Sequence, residues 1–277
     1  MKYDERKERC GAMKDADMRL TVLGARGSIP VSGKEYMRFG GSTSCYMIQA
    51  AGETVFLDAG TGLINAPMLP GSEPVILLSH LHLDHILGLG MYPRLSQAGT
   101  VTRLYLTADT AEDAEARIAG TFSPPYWPLP LTAYRGTLLA EPLPEVLRLG
   151  NVIVESMAGC HPGGCLVFRV SCGGKSIVYA GDCEPDLPFL AGLARFARGT
   201  DLLLFDAQYT EEQYAARRGF GHATAELGLR LMEYSGAGQL LLIHHDPHAT
   251  DEELLHREQL LQRKNVRYAR EGEEIDI

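Results

Sequence analysis

The residues best suited to chemistry are three histidines and an aspartate within six positions: His80, His82, Asp84 and His85. They follow residues 74–78, an apolar run whose composition predicts a buried strand. Because side chains alternate along an extended chain, His80 and His82 should lie on one side, while Asp84 and His85 fall where the next element begins. Imidazole nitrogen and carboxylate oxygen are ligands of zinc and its first-row neighbours. The pattern therefore predicts a metal site at a strand end.

The spacing His80-x-His82-x-Asp84-His85 resembles the signature of the metallo-β-lactamase superfamily, and the resemblance runs from about Met18 to the end of the chain. In that family the first two histidines help to hold one metal, and the aspartate and last histidine help to hold a second. The resemblance therefore implies two divalent metal ions as cofactors. Zinc is the default for this ligand set, and manganese or iron could use the same nitrogen and oxygen atoms.

The remaining metal ligands follow from the same resemblance, position by position. It implies that His161 completes the first metal site and that Asp182 bridges the two metals. The second site takes either His244 or His245. Alternation does not choose between these two, because the run before them is apolar throughout. The ends of the corresponding strands in related phosphodiesterases favour His244.

Asp58 ends another predicted strand, at residues 54–57. In the superfamily an aspartate at this place supports a metal-binding histidine from behind. A carboxylate that accepts the outer N–H of an imidazole fixes the tautomer of the ring and raises its basicity. The alternative is an ordinary turn aspartate.

The elements that must position these residues are strands interspersed with helices. Further strands are predicted at residues 19–23, 45–49, 102–106, 152–156, 165–171, 176–180, 201–205, 239–243 and 266–268. Helices are predicted at residues 110–118, 186–197 and 251–264, with another opening after His222. This order suits two packed sheets with helices outside, the four-layer αββα sandwich of the metallo-β-lactamase type. Composition alone would indicate only a mixed α/β protein.

Composition and charge narrow the class of protein. Residues 1–17 are charged and lack periodicity, which predicts a mobile tail before a single domain at 18–277. The formal net charge of −9 argues against a protein that coats nucleic acid. No stretch is apolar enough to span a bilayer, and the N-terminus lacks the apolar core of a signal peptide. We therefore expect a cytoplasmic protein whose six cysteines are mostly reduced.

Asp206 and His222, with the residues around them, resemble a pair of motifs in ribonuclease Z and its smaller phosphodiesterase relatives. There an acidic residue, usually glutamate, orients a histidine that contacts the scissile phosphate or the leaving oxygen. The resemblance implies that Asp206, His222 and Asp84 are catalytic, with His222 as general acid and Asp84 orienting the nucleophile as well as binding metal. The alternative role for His222 is capping a helix that begins at Ala223.

The substrate is constrained by what the chain lacks. Only 20 residues separate His161 from Asp182, and a predicted hairpin uses them, so the transfer-RNA arm of ribonuclease Z is absent and transfer RNA is an unlikely partner. Histidine at position 85, where secreted β-lactamases usually have arginine, argues against a lactamase.

We expect a homodimeric, metal-dependent phosphodiesterase for a cyclic nucleotide or another small phosphodiester. The alternatives are hydrolysis of a carbon ester, thioester or lactone, and a non-catalytic metal-binding or sensor module.

Overall fold

Two seven-stranded sheets form the centre of the structure, a computed structural model that describes residues 18–69 and 71–277. The tail predicted at residues 1–17 lies outside the described residues. In chain order the strands are β1 (Met18–Gly24), β2 (Cys45–Ala50), β3 (Glu53–Leu57), β4 (Val75–Leu77), β5 (Val101–Leu106), β6 (Thr137–Pro142), β7 (Val146–Leu149), β8 (Val152–Ala158), β9 (Leu166–Cys172), β10 (Lys175–Ala180), β11 (Leu202–Asp206), β12 (Gln239–Ile243), β13 (Val266–Tyr268) and β14 (Glu274–Asp276).

Each sheet has an antiparallel half and a parallel half. The first sheet has the order β14-β1-β2-β3-β4-β5-β6, and the second has the order β13-β12-β11-β10-β9-β8-β7. Strands β3 to β6 pair in parallel, as do β10 to β13. Parallel strands bring their carboxyl ends to the same edge of a sheet, where α/β proteins commonly build their sites. The candidate site lies at those ends.

The α-helices are α1 (Leu83–Ile86), α2 (Ala111–Thr121), α3 (Leu187–Phe196), α4 (Glu211–Ala216), α5 (Ala225–Ser235) and α6 (Asp251–Leu261). The four longer ones, α2, α3, α5 and α6, cover the outer faces of the sheets. Side-chain oxygens of Thr110, Asp186 and Thr224 accept hydrogen bonds from the first turns of α2, α3 and α5 and so fix where these helices begin. Within the described part of the chain, no helix is long and apolar enough to cross a membrane.

Three apolar clusters separate the layers. The central cluster joins the facing sides of the two sheets, with Ile48 and Leu77 from one sheet and Val170 and Leu204 from the other. A second cluster lies between the second sheet and helices α3, α5 and α6, and a third lies between the first sheet and α2. These layers confirm the predicted αββα sandwich.

Candidate active site

The predicted site residues follow the ends of several strands. Residues 80–85 come just after β4, and Asp182 comes just after β10. Asp206 is the last residue of β11, and His244 directly follows β12. His161 lies on the loop between β8 and β9. The two sheets therefore contribute to one cluster of histidines and aspartates.

The first group of possible metal ligands contains His80, His82, His161 and Asp182, whose ligand atoms all lie within 4.8 Å of one another. Nδ1 of His82 lies 3.1 Å from Nε2 of His161. Oδ2 of Asp182 lies 3.6 Å from Nε2 of His80 and 3.7 Å from Nε2 of His161. Three imidazoles and one carboxylate thus converge on one point.

The second group contains Asp84, His85, Asp182 and His244, again within 4.8 Å. Oδ1 of Asp182 lies 3.0 Å from Nε2 of His85 and 3.1 Å from Nε2 of His244. Oδ2 of Asp84 lies 3.1 Å from the same nitrogen of His244. Asp182 belongs to both groups and directs one oxygen to each, which is the arrangement that a bridging carboxylate requires.

The ligand atoms at this centre include buried polar atoms without a hydrogen-bond partner. Among the described residues, Nε2 of His80, Nε2 of His85 and Oδ1 of Asp182 are in this state. Nε2 of His85 and Oδ1 of Asp182 lie 3.0 Å apart, but not in the geometry of a hydrogen bond. Buried polar atoms in proteins nearly always have a partner, so three unpaired atoms at one centre call for an explanation. A nitrogen and oxygen donor set of this kind fits divalent metal ions.

Most of the ligand histidines are held from behind by a hydrogen bond at Nδ1, which leaves Nε2 to face the centre. The acceptors are Ser79 Oγ for His80 at 3.0 Å, Asp58 Oδ2 for His85 at 2.7 Å, the Gly221 carbonyl for His161 at 2.8 Å and Gln208 Oε1 for His244 at 3.0 Å. Sequence reasoning missed Gln208, although it stands two residues after Asp206 in a motif already singled out.

Charges at the centre favour the binding of a cation. Burial opposes protonation of His85, but the surrounding carboxylates, Asp182 foremost, outweigh burial and raise its pKa well above the usual value. Burial also opposes protonation of His244, and Asp182 and Asp84 raise its pKa to about 9. In contrast, burial and the neighbouring His85 lower the pKa of His80 to about 2. The carboxylates thus attract positive charge, which divalent cations would supply.

His244 and His245 have different environments, which decides the alternative left open by the sequence. His244 contacts both carboxylates of the second group. His245 donates a hydrogen bond from Nε2 to the carbonyl of Ala269 at 2.8 Å, and its ring packs against Phe39 and Tyr268. Burial, together with the charge of Arg26, lowers the pKa of His245 to about 3. His245 is therefore a core residue, and His244 is the one at the centre.

Asp58 accepts four hydrogen bonds, so it is more than an ordinary turn aspartate. Its donors are the backbone N–H of Ser79 at 2.7 Å, the Ser79 hydroxyl at 2.8 Å, His85 Nδ1 at 2.7 Å and the Tyr179 hydroxyl at 2.6 Å. The carboxylate links the strand ends on both sides of the site, since Tyr179 belongs to the second sheet.

Replacing Asp58 with alanine is expected to lower the free energy of unfolding of the metal-free protein by about 3–5 kcal/mol, the usual cost of removing one partner of a buried charged pair. Tyr179→Phe removes only one donor and should cost about 1 kcal/mol. Urea unfolding of both variants measures the difference. Equal, small losses would show that the carboxylate does not organise the strand ends.

His222 lies beside the second group of ligands. Its Nδ1 donates to Oδ2 of Asp206 at 2.9 Å, and Asp206 is fully buried. The His222 ring stacks on His244, with centroids 4.8 Å apart, and lies 5.3 Å from the ring of His161. Helix α5 is capped by Thr224 instead, so the capping alternative for His222 is wrong.

Comparison with known proteins identifies the class. Residues 53–245 match the family described as beta-lactamase superfamily domain. The match covers more than half of the chain, so the protein belongs to this family, and the resemblance to the metallo-β-lactamase superfamily is confirmed. The protein is therefore a metallo-β-lactamase superfamily hydrolase.

Particular relatives include a ribonuclease Z from Bradyrhizobium sp. (strain ORS 278), which is 26% identical over an alignment of 288 positions that covers 85% of this chain and 92% of the relative. The probable metallo-hydrolase YhfI of Bacillus subtilis (strain 168) is 24% identical over 234 residues, covering 82% of this chain and 86% of the relative.

Solved structures show the same fold. The metallo-β-lactamase fold protein YhfI from Bacillus subtilis superposes with a TM-score of 0.71 at 22% identity, covering 95% of this chain and 100% of that one. A diphosphatase from the PhnP family superposes with a TM-score of 0.69 at 18% identity, covering 94% and 97% of the two chains.

Proposed function

We propose that this hydrolase is a phosphodiesterase for a small substrate and works with two divalent metal ions. The observation that carries the proposal is the hydrogen bond between His222 and the buried Asp206, placed beside both groups of ligands. Hydrolysis at a carbon centre could use the same ligands without this pair. The names of the relatives agree with the proposal, since a ribonuclease and a diphosphatase both cleave phosphorus–oxygen bonds.

The ligand roles follow the two groups. His80, His82 and His161 would hold one metal, Asp84, His85 and His244 the other, and Asp182 would bridge them. Two divalent cations held in this way would lower the pKa of a water molecule and offset negative charge that builds on the phosphorus.

Two side chains have roles in the reaction itself: one orients the attacking water and the other gives a proton to the leaving oxygen. Asp84 lies on the ligand cluster, and its Oδ2 accepts the backbone N–H of Ser28 at 2.8 Å, which fixes the carboxylate to orient the attacking water. The attacking water loses one proton to bulk solvent, its oxygen forms a bond to phosphorus, and the bond to the leaving oxygen breaks. Asp206 accepts Nδ1–H of His222, which leaves Nε2–H of the protonated ring to give its proton to that oxygen.

A small substrate is favoured by the segment between His161 and Asp182. Strands β9 and β10 occupy most of it as a hairpin within the second sheet. No separate arm for a large nucleic acid is therefore available in this segment. Cyclic nucleotides and other small phosphodiesters remain the proposed substrates.

The test is hydrolysis of bis-p-nitrophenyl phosphate by protein loaded separately with zinc and with manganese. We expect cleavage that depends on metal and stops when a chelator removes it. Elemental analysis of the same samples establishes that two ions are bound. Protein that holds two ions but leaves the substrate intact would exclude the phosphodiesterase proposal and direct the search to esters, thioesters and lactones.

A further inference from the structure

The segment Gly219–Gly221 contacts both halves of the site. The carbonyl of Gly221 accepts the Nδ1–H of His161 at 2.8 Å, and His222 is the next residue along the chain. Gly221 has φ of +92°, and a Cβ at this position would lie 2.2 Å from the His161 ring. Only glycine therefore allows the segment to lie this close to the ring. The position of this segment therefore affects two histidines together.

Glu184 ties this segment to the second sheet. Its Oε1 and Oε2 accept the backbone N–H of Gly219 at 2.8 and 2.9 Å, and Oε2 also accepts the N–H of Gly221 at 2.7 Å. The backbone N–H of Glu184 itself donates to the carbonyl of Cys160, the residue before His161, at 2.8 Å. Glu184 stands two residues after Asp182. One short stretch therefore carries both the proposed bridging carboxylate and Glu184, which anchors the Gly219–Gly221 segment.

Apart from the contacts with Glu184 and His161, the segment has a backbone hydrogen bond from the N–H of Phe220 to the carbonyl of Arg217 at 3.2 Å. Gly219 and Gly221 both have positive φ, and residues 218–220 are exposed. Flexible glycines lose much conformational freedom when they are ordered, so a segment with two glycines of positive φ benefits from strong acceptors that fix it. Hydrogen bonds to an ionised carboxylate are stronger than those between neutral groups.

We propose that Glu184 is a positioning residue for the reaction: its carboxylate holds Gly219–Gly221 so that one segment sets both the orientation of His161 and the place of His222. The inference rests on the proposed function, because it assigns a purpose to the His222 proton. Glu184 itself touches no reacting atom. It acts through the backbone amides of the two glycines.

Hydrogen exchange tests the anchor without any activity measurement. In Glu184→Ala, the amides of Gly219 and Gly221 are expected to exchange at least about tenfold faster, while the amides within α5 keep their protection. Glu226→Ala is the matched control. Glu226 and Glu184 line the same surface cavity, but Glu226 belongs to α5. Unchanged exchange at both glycines would overturn the inference.

Kinetics of the metal-loaded protein test the consequence. The p-nitrophenyl and phenyl esters of thymidine 5′-phosphate differ only in the leaving group, and phenolate needs a proton more than nitrophenolate does. For Glu184→Ala we expect kcat on the phenyl ester to fall by about 10²-fold, with a much smaller fall on the p-nitrophenyl ester. Glu184→Gln keeps one acceptor oxygen and should recover part of the loss.

A double variant separates positioning from general damage. Adding Glu184→Ala to His222→Ala should cost no more on the phenyl ester than Glu184→Ala alone costs on the p-nitrophenyl ester, since the acid is already gone and only the effect through His161 is left. Equal losses on both esters, or fully additive losses in the double variant, would overturn the inference. Wild-type enzyme that cleaves neither ester would instead refute the proposed function, and the exchange rates would still decide whether Glu184 holds the segment.

Discussion

Asp182→Ala is expected to abolish metal binding at the paired sites and hydrolysis together. The Asp182 carboxylate belongs to both ligand groups and lies within 3.0–3.7 Å of Nε2 of His85, His244, His80 and His161. The imidazoles of His85 and His244 owe their raised pKa values largely to this carboxylate. Its loss would therefore remove much of the negative charge that attracts cations. Among the residues that the structure describes, Asp182 is the one carboxylate shared by both groups.

Elemental analysis after gel filtration measures the bound metal, and bis-p-nitrophenyl phosphate measures the activity. Asp113→Ala is the matched control, because Asp113 is a surface partner of Arg117 on α2 and should leave both quantities unchanged. His82→Ala should resemble Asp182→Ala, since His82 belongs to the first group. A variant without metal that kept full activity would contradict the two-metal mechanism.

The strands that carry the site were predictable because they are buried on both faces. β4, β11 and β12 are apolar runs with no exposed residue, and each ends where a polar motif begins. β6 and β7 were missed. They are edge strands with only one buried residue each, Ala140 and Leu147, so neither has the run of buried residues that marks the central strands. β14 is three residues long and gives no pattern of its own.

Helix α4 was missed for a different reason. None of its residues is buried, so it has no apolar periodicity. Its signal was the capping box formed by Thr210 and Gln213, in which the side chain of each residue bonds the backbone of the other. A search for caps as well as for periodicity would have found it.

The choice between His244 and His245 could not come from strand alternation. β12 ends at Ile243, and His244 adopts φ of 59°, a left-handed conformation that an extended chain does not have. The alternation of side chains along β12 therefore does not extend to His244. Asp58, with φ of 60°, and Ser28, with φ of 63°, have the same rare conformation at the same site, which fits the tendency of functional sites to hold strained backbone.

The supporting contacts were the least predictable part of the site. Motif spacing indicated the ligands, yet the side chains of Glu184, Gln208 and Tyr179 act through contacts with residues 35 to 121 positions away. Such pairs are set by tertiary packing between distant segments, which a single sequence does not display. Asp58 was an exception, because its place at a strand end belonged to the superfamily pattern.

His222→Ala is expected to keep both metals and to slow phosphodiester cleavage by about 10²–10⁴-fold, the usual contribution of a positioned acid. His222 is not a member of the two groups that would hold the metals, although it forms a third group of possible ligands with Asp182, Asp206 and His244. Its Nδ1 is bonded to Asp206, which commits the ring to that carboxylate. Removing it should therefore leave metal content unchanged and act on the leaving oxygen. The loss should be larger for the phenyl ester of thymidine 5′-phosphate than for the p-nitrophenyl ester.

Asp206→Asn tests the other member of the His222–Asp206 pair. The amide can still accept Nδ1–H through its oxygen but lacks the charge that stabilises a protonated imidazole, so a smaller loss with the same dependence on leaving group is expected. His256→Ala, which removes an exposed histidine of α6, is the control for loss of an imidazole elsewhere. If His222→Ala turned over both esters at the wild-type rate, the pair would have no role in proton transfer, and hydrolysis at a carbon centre would become the better account of the site.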